Sequence, residues 1–151
     1  MSPVAGEPAP EFTLPSTSGT DVTLAQYRGK SNVLLAFFPL AFTSTCAEEM
    51  TSFTEDLTRF ADANAVVLPI SVDSIPSLRE WKAKEQLTVE LLSDFKRDVC
   101  RAYGTLHEEK FFSRRAYFLI DKQGVLRWSH VEAELGHRRD DDELLAQIAA
   151  L

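Results

Sequence analysis

The stretch that decides the fold runs from Asn32 to Phe60 and reads NVLLAFFPLAFTSTCAEEMTSFTEDLTRF. Its first seven residues, 32–38, form a nearly continuous apolar run, the pattern of a strand that is covered on both faces. Pro39 then blocks the strand, and a Thr-Ser-Thr segment can cap a following helix. From Cys46 to Phe60, apolar residues recur at spacings of four and three, which places them on one helix face. The stretch predicts a covered strand followed by an amphipathic helix.

Further strands and helices are predicted on both sides of this unit. Two short strands, Phe12–Leu14 and Val22–Leu24, flank a turn and form an N-terminal β-hairpin. A second covered strand spans Ala65–Ser71, where Pro69 indicates an interruption of the hydrogen-bond ladder. The remaining predictions are a hairpin around Asp121–Gly124 with strands 116–120 and 125–131, helices within Ile75–Trp81, Phe95–Tyr103 and Leu144–Leu151, and a short strand at Val89–Leu92.

The order of these elements predicts an α/β fold. Covered strands joined by helices imply a mainly parallel central sheet, to which the last hairpin adds antiparallel strands. This is the order of a thioredoxin-like fold, with a central mixed sheet flanked by helices. The sequence contains no internal repeat, low-complexity tract or linker, so we expect one domain over residues 1–151.

The composition excludes several classes of protein. Apolar residues make up 44% and charged residues 26%, ordinary values for a globular protein. The net charge of −7 argues against nucleic acid or an anionic membrane surface as a partner. The longest apolar stretch, Val33–Phe42, is too short to cross a bilayer, and no secretory signal is visible. We therefore expect a cytoplasmic protein without a membrane partner.

Cys46 is the candidate for chemistry. It falls in the first turn of the predicted helix, beyond the carboxyl end of a covered strand, where open parallel sheets place ligand sites. Unpaired N–H groups and the positive end of the helix dipole favour the thiolate, which is the nucleophilic form. Packing is the alternative, because Cys46 also lies on the apolar stripe. The hydroxyl of Thr43, one turn upstream and within reach of the sulfur, favours chemistry.

The segment around Cys46 resembles the active site of the peroxiredoxins. Pro39-x-x-x-Thr43-x-x-Cys46 matches their motif. The string from Phe37 to Thr43 is similar to the one-cysteine branch that contains alkyl hydroperoxide reductase E and the bacterioferritin comigratory protein-like enzymes. The similarity continues in the expected order through residues 91–95, 102–104 and 115–121.

The resemblance implies a thiol-dependent peroxidase, an antioxidant oxidoreductase that needs no metal or organic cofactor. Cys46 would attack one oxygen of hydrogen peroxide or an organic hydroperoxide and become a sulfenic acid. Thr43 would hydrogen-bond the thiolate and the peroxide, and Arg115 would donate to the charge that develops on the departing oxygen. Pro39 would shield the pocket from water.

Two of the implied residues have competing interpretations. Arg114 and Arg115 are consecutive and cannot both point into one pocket from a strand. The family's spacing to Phe118 selects Arg115, whereas the residues alone leave the two equal. Glu49 either orients Arg115, as the resemblance implies, or interacts with the helix dipole as an acid in the first turn.

Cys100 is interpreted as a packing residue. One group of peroxiredoxins has a second cysteine five residues after the first, where Thr51 stands here, and no cysteine follows Cys100. We therefore predict a 1-Cys mechanism, in which an external small-molecule thiol or a thioredoxin- or glutaredoxin-like protein reduces Cys46. The alternatives are a Cys46–Cys100 disulfide reduced by thioredoxin, and a non-catalytic thioredoxin-fold binding module.

Other candidate sites carry weaker signals. His107, His130 and His137 lack the spacing of a metal-binding pair, so we predict no metal site. Asp140–Asp142 are interpreted as the solvated start of the last helix. The resemblance implies a homodimer, whose interface the sequence leaves open.

Overall fold

The computed structural model describes residues 2–151 and confirms an α/β fold. A short hairpin precedes a central mixed sheet that packs against helices. In chain order, the elements are β1 (Thr13–Pro15), β2 (Asp21–Thr23), β3 (Asn32–Phe37), α1 (Ser44–Glu55), α2 (Leu57–Asp62), β4 (Ala65–Ser71), α3 (Ile75–Glu85), β5 (Leu92–Ser93), α4 (Asp98–Ala102), β6 (Leu106–His107), β7 (Phe112–Ser113), β8 (Ala116–Ile120), β9 (Leu126–Val131) and α5 (Asp141–Ala149).

The central sheet has the strand order β5-β4-β3-β8-β9. Strand β3 is parallel to β4 and antiparallel to β8. Strand β5 is parallel to β4, and β9 is antiparallel to β8. Every residue of β3 after Asn32 is buried, as its continuous apolar sequence predicts.

The sheet separates two apolar cores. Leu35 and Phe37 point to one side, which we call the α4 face because it packs against α4, β1 and β2. Leu34, Ala36 and Phe38 point to the other side, the α1 face, which packs against α1, α2, α3 and α5. Because successive residues of a strand point to opposite faces of the sheet, the side chains of one strand contribute to both cores.

The interruption predicted at Pro69 is wrong. The pairing of β3 with β4 runs without a break from Asn32↔Ala65 to Phe37↔Ile70. The carbonyl of Ile70 accepts a hydrogen bond from the β3 side and that of Ser71 from the β5 side. The nitrogen of Pro69 therefore faces β5, where pairing begins only at Ile70↔Leu92, so no ladder hydrogen bond is lost.

Two predicted helices differ from the observed ones. The helix predicted over 46–60 starts at Ser44 and breaks at Asp56 into α1 and α2, although its apolar stripe still faces the core. The helix predicted from Phe95 begins only at Asp98, and Phe95 is 60% exposed. Gly104 ends this region with φ +69°, a conformation that favours glycine, as predicted.

The two predicted hairpins are confirmed, while a third was missed. Strands β1 and β2 pair around the N-terminal turn, and Gly124 N–H donates to Asp121 O at 2.9 Å in the turn between β8 and β9. The two-residue strands β6 and β7 pair as well, but they are too short to give a periodic pattern. Within residues 2–151, no helix combines the length and apolar character that spanning a membrane requires.

Candidate active site

Cys46 is the third residue of α1, directly beyond the carboxyl end of the central strand β3. Its side chain is 1% exposed and lies in the wall of a cavity of about 250 Å³. The cavity is lined by the β3–α1 connection and the start of α1, by Phe112 and Arg115, and by Leu135 and Gly136. Three segments that are distant in the sequence therefore meet at this sulfur.

Arg115 immediately precedes β8 and is buried at the cavity. Its Nη2 donates to Cys46 Sγ at 3.2 Å and to Leu135 O at 3.3 Å. Its Nη1 donates to Glu49 Oε1 at 2.8 Å. Burial lowers the pKa of Arg115, but the charges of Glu49 and Cys46 outweigh this effect and raise it. The neighbouring Arg114 is only half-buried.

Glu49 lies beneath the guanidinium and is completely buried. Because α1 starts at Ser44, Glu49 is its sixth residue, so the interpretation as a first-turn acid is wrong. One carboxylate oxygen accepts from Arg115, and the other accepts from the hydroxyl of Tyr117. Burial raises the pKa of Glu49, while Arg115 and Tyr117 oppose that shift.

Thr43 and Pro39 both line the cavity, but Thr43 does not make the predicted contact with sulfur. Its hydroxyl donates to Leu40 O at 2.7 Å. Short polar side chains often bond a carbonyl three residues back, and this local bond competes with longer-range ones. Pro39 is buried between the end of β3 and the cavity.

Cys100 lies in a different environment, in the core of the α4 face, whereas Cys46 belongs to the core of the α1 face. Both cysteines are free within residues 2–151. Asp94 Oδ2 accepts from the backbone N–H of Cys100 at 2.7 Å. Burial and then the charge of Asp94 raise the pKa of the Cys100 thiol, which keeps it neutral.

Sequence reasoning missed two groups at the site, Tyr117 and the carbonyl of Leu135. Tyr117 is fully buried in β8, and Leu135 lies in the segment between β9 and α5. A tyrosine in a strand covered on both faces was an available signal, because a buried phenol usually finds a hydrogen-bond partner. No sequence signal predicts the Leu135 contact, since any residue offers the same backbone carbonyl.

The structure also bears on two further sequence predictions, those about a metal site and about Asp140–Asp142. Across residues 2–151, no three His, Cys, Asp or Glu side chains are grouped as a metal site requires. Asp140 caps α5 by accepting from Glu143 N–H at 2.9 Å, but Asp141 is buried, so the solvated helix start predicted there is wrong for this residue. Asp141 Oδ2 accepts instead from Ser52 of α1 at 3.0 Å.

Comparison with known proteins identifies the same family that the residues around Cys46 resemble. Residues 5–129 match the AhpC/TSA family. Alkyl hydroperoxide reductase E of Mycobacterium tuberculosis is 37% identical over 148 residues, which cover 97% of this chain and 96% of that protein. The chloroplastic 2-Cys peroxiredoxin BAS1 of Hordeum vulgare is 33% identical, over 99% of this chain and 75% of that protein.

A solved structure supports the same relationship. The reduced 2-Cys peroxiredoxin of Plasmodium vivax superposes with a TM-score of 0.91 at 33% identity, covering 98% of this chain and 82% of that one. Its fold is the thioredoxin-like arrangement predicted from the order of the elements. Peroxiredoxins are thiol peroxidases, which act on peroxides and are reduced by thiols. The chain therefore belongs to the AhpC/TSA family and is a peroxiredoxin of the alkyl hydroperoxide reductase E branch.

Proposed function

We propose that this peroxiredoxin is a 1-Cys enzyme: Cys46 reduces hydrogen peroxide and organic hydroperoxides, and an external thiol reduces the resulting sulfenic acid. The separation of the two cysteines supports this proposal best, because Cys46 and Cys100 belong to cores on opposite faces of the sheet. A disulfide needs Cα atoms within about 7 Å, so joining them would require the sheet or its helices to rearrange.

In the first step, the thiolate of Cys46 attacks the terminal oxygen of the peroxide. An S–O bond forms while the O–O bond breaks, which leaves a sulfenic acid on Cys46 and an alkoxide or hydroxide that takes up a proton. Arg115 Nη2, 3.2 Å from the sulfur, is placed to donate to the thiolate and to the charge that develops beside it. Donors held in position by the fold need no reorganisation during the reaction.

The other predicted site residues have supporting roles in this proposal. Glu49 orients Arg115 through the bond to Nη1. The Thr43 hydroxyl donates to Leu40 O, so its lone pairs are the groups that would accept the O–H of the peroxide. Pro39, buried at the cavity wall, excludes water from the sulfur.

In the second step, an external thiol attacks the sulfur of the sulfenic acid. Water leaves, a mixed disulfide forms on Cys46, and a second thiol releases the reduced enzyme. The reductant is a small-molecule thiol or a thioredoxin- or glutaredoxin-like protein. We also propose a cytoplasmic homodimer; light scattering of the reduced protein should give twice the chain mass, and a monomer mass would contradict the dimer.

Stopped-flow measurement of peroxide consumption by the reduced protein tests the proposed function. The wild-type protein and Cys100→Ser should react equally fast, because Cys100 has no part in either step. Cys46→Ser should lose the reaction, with a rate constant lower by on the order of 10⁴-fold or more, as expected when a nucleophile is removed. A fast reaction that survives in Cys46→Ser would refute the assignment.

A further inference from the structure

Tyr117 is the second residue of β8 and lies between Ala36 of β3 and His130 of β9. Its ring belongs to the core of the α1 face, the face that also contains Cys46, and it is fully buried. Neither step of the proposed reaction uses Tyr117. A hydroxyl in such a core must be hydrogen-bonded, because an unpaired buried polar group is costly.

The hydroxyl of Tyr117 makes two hydrogen bonds with opposite roles. It donates its proton to Glu49 Oε2, and it accepts from the backbone N–H of Arg139 at 3.0 Å. Because Glu49 is ion-paired with Arg115, its carboxylate can only accept, so the phenol is the donor. Burial and the charge of Glu49 raise the pKa of Tyr117, which keeps the proton on the phenol.

The two oxygens of Glu49 are thereby divided between two donors. Oε1 accepts from Arg115 Nη1 at 2.8 Å, and Oε2 accepts from Tyr117. This division fixes the rotation of the carboxylate plane. Because the guanidinium is a rigid planar fork, holding Nη1 on Glu49 restricts the directions that Nη2 can take, and Nη2 lies 3.2 Å from Cys46 Sγ.

We propose that Tyr117 is a positioning residue of the peroxide reaction, whose hydroxyl holds Glu49 in the orientation that keeps Arg115 Nη2 on the sulfur of Cys46. This inference rests on the proposed function, since it gives Tyr117 a task only if Cys46 and Arg115 carry the reaction. Tyr117 does not touch the sulfur itself and acts through two other side chains.

Tyr117→Phe removes the hydroxyl and keeps the ring. We expect its rate constant with peroxide to fall by about tenfold, because residues that orient a reacting group typically contribute 10- to 100-fold. The matched control is Tyr103→Phe, since Tyr103 is equally buried on the α4 face and donates to Pro10 O at 2.6 Å. Both variants lose one buried hydrogen bond and should melt at lower temperature, but Tyr103→Phe should keep the wild-type rate constant. An unchanged rate constant in Tyr117→Phe, or an equal loss in both variants, would overturn the inference.

A double-mutant cycle with Glu49→Gln tests the route of the effect. If Tyr117 acts through Glu49, the variants E49Q and E49Q/Y117F should have equal rate constants within about twofold. A further tenfold loss in E49Q/Y117F would mean that Tyr117 acts by another route, which overturns the inference. This pair keeps the inference falsifiable if Tyr117→Phe fails to fold, because the amide removes the carboxylate charge that would otherwise be buried with only one of its two donors.

The same experiments separate this inference from the proposed function. If Cys46→Ser keeps the fast reaction, the proposed function fails and the positioning role fails with it. If Cys46→Ser is inactive while Tyr117→Phe reacts at the wild-type rate, only the positioning role fails.

Discussion

Cys46 and Cys100 occupy the same position in two different helices. Each is the third residue, of α1 and α4 respectively, and each is essentially inaccessible to solvent. They differ in what surrounds the sulfur. Cys46 lies 3.2 Å from the guanidinium of Arg115, whereas Cys100 lies beside the carboxylate of Asp94. We expect the charge of the nearest side chain, and not the position in the helix, to make Cys46 the reactive cysteine and Cys100 a packing one.

The starts of the two helices also differ in what occupies their N–H groups. In α4, the carboxylate of Asp94 accepts from Val99 N–H at 3.2 Å and from Cys100 N–H at 2.7 Å. In α1, the hydroxyl of Thr43 turns back to Leu40 O instead of capping the helix. The start of α1 therefore has no side-chain cap from Thr43, while two N–H groups of α4 are occupied by an acid.

Thiol labelling gives the largest expected difference between the two cysteines. In the native reduced protein, iodoacetamide should alkylate Cys46 and leave Cys100 unmodified, with rates that differ by at least about 10³-fold, because Cys46 lines the cavity whereas Cys100 lies in the core of the α4 face and reacts only after local unfolding. Since burial and the charge of Asp94 raise the pKa of Cys100, raising the pH to about 9 should not ionise this thiol or make it react. Peptide mass spectrometry assigns the label, and guanidinium provides the fully labelled control. Rapid labelling of Cys100 in the folded protein would contradict the contrast.

Changing the cation beside Cys46 gives the next largest effect. Arg115→Lys keeps the positive charge but loses the planar fork that reaches Glu49 and the sulfur together. We expect the rate constant with peroxide to fall by about 10²-fold, the usual effect of removing one fixed donor. Arg114→Lys, at the half-buried neighbouring position, should stay within about twofold of wild type. Equal losses in both variants would show that the guanidinium of Arg115 has no special role.

The two faces of the sheet also differ in how their buried aspartates are stabilised. Asp94 on the α4 face is satisfied by two backbone N–H groups. On the α1 face, Asp141 is also buried, and the carboxyl group of Asp56 lies beside its own. Burial and Asp56 raise the pKa of Asp141 from 3.8 to about 7. The nearby cation of Arg138 and the hydroxyl of Ser52 oppose this shift.

The smallest expected effect is therefore a dependence of stability on pH. Between about pH 4 and 7, the folded protein holds a proton on Asp141 that the unfolded chain lacks, so stability falls as the pH rises through this range. We expect the Tm to drop by roughly 5 °C between pH 5 and 8 through this group, and Asp141→Asn should abolish that part of the drop. Asp142→Asn is the matched control, because the Asp142 side chain is 81% exposed. If Asp141→Asn and wild type show identical pH profiles, Asp141 does not carry the effect.

Local chemistry explains which parts of the fold and the site the sequence could predict. The apolar run of β3, Pro39 and the helix start place Cys46 at the end of a central strand, because each of these signals acts within a few residues. The break at Asp56 and the exposure of Phe95 were missed, since both depend on what the rest of the chain packs against these residues.

The finer geometry of the site depends on contacts between distant segments. The hydroxyl of Tyr117 reaches Glu49, 68 residues away, and the carbonyl of Leu135 reaches Arg115 from another segment. Thr43 was predicted at the cavity, but a single residue name does not decide between its two acceptors, the carbonyl of Leu40 and the sulfur of Cys46.

Mass spectrometry of the intact reduced protein after one equivalent of peroxide tests most directly the claim that Cys46 works without Cys100. We expect each chain to gain one oxygen atom, trapped on Cys46 as a sulfenic acid, and Cys100 to remain a free thiol. A chain that instead loses two hydrogen atoms, with Cys46 and Cys100 joined in one disulfide, would contradict it.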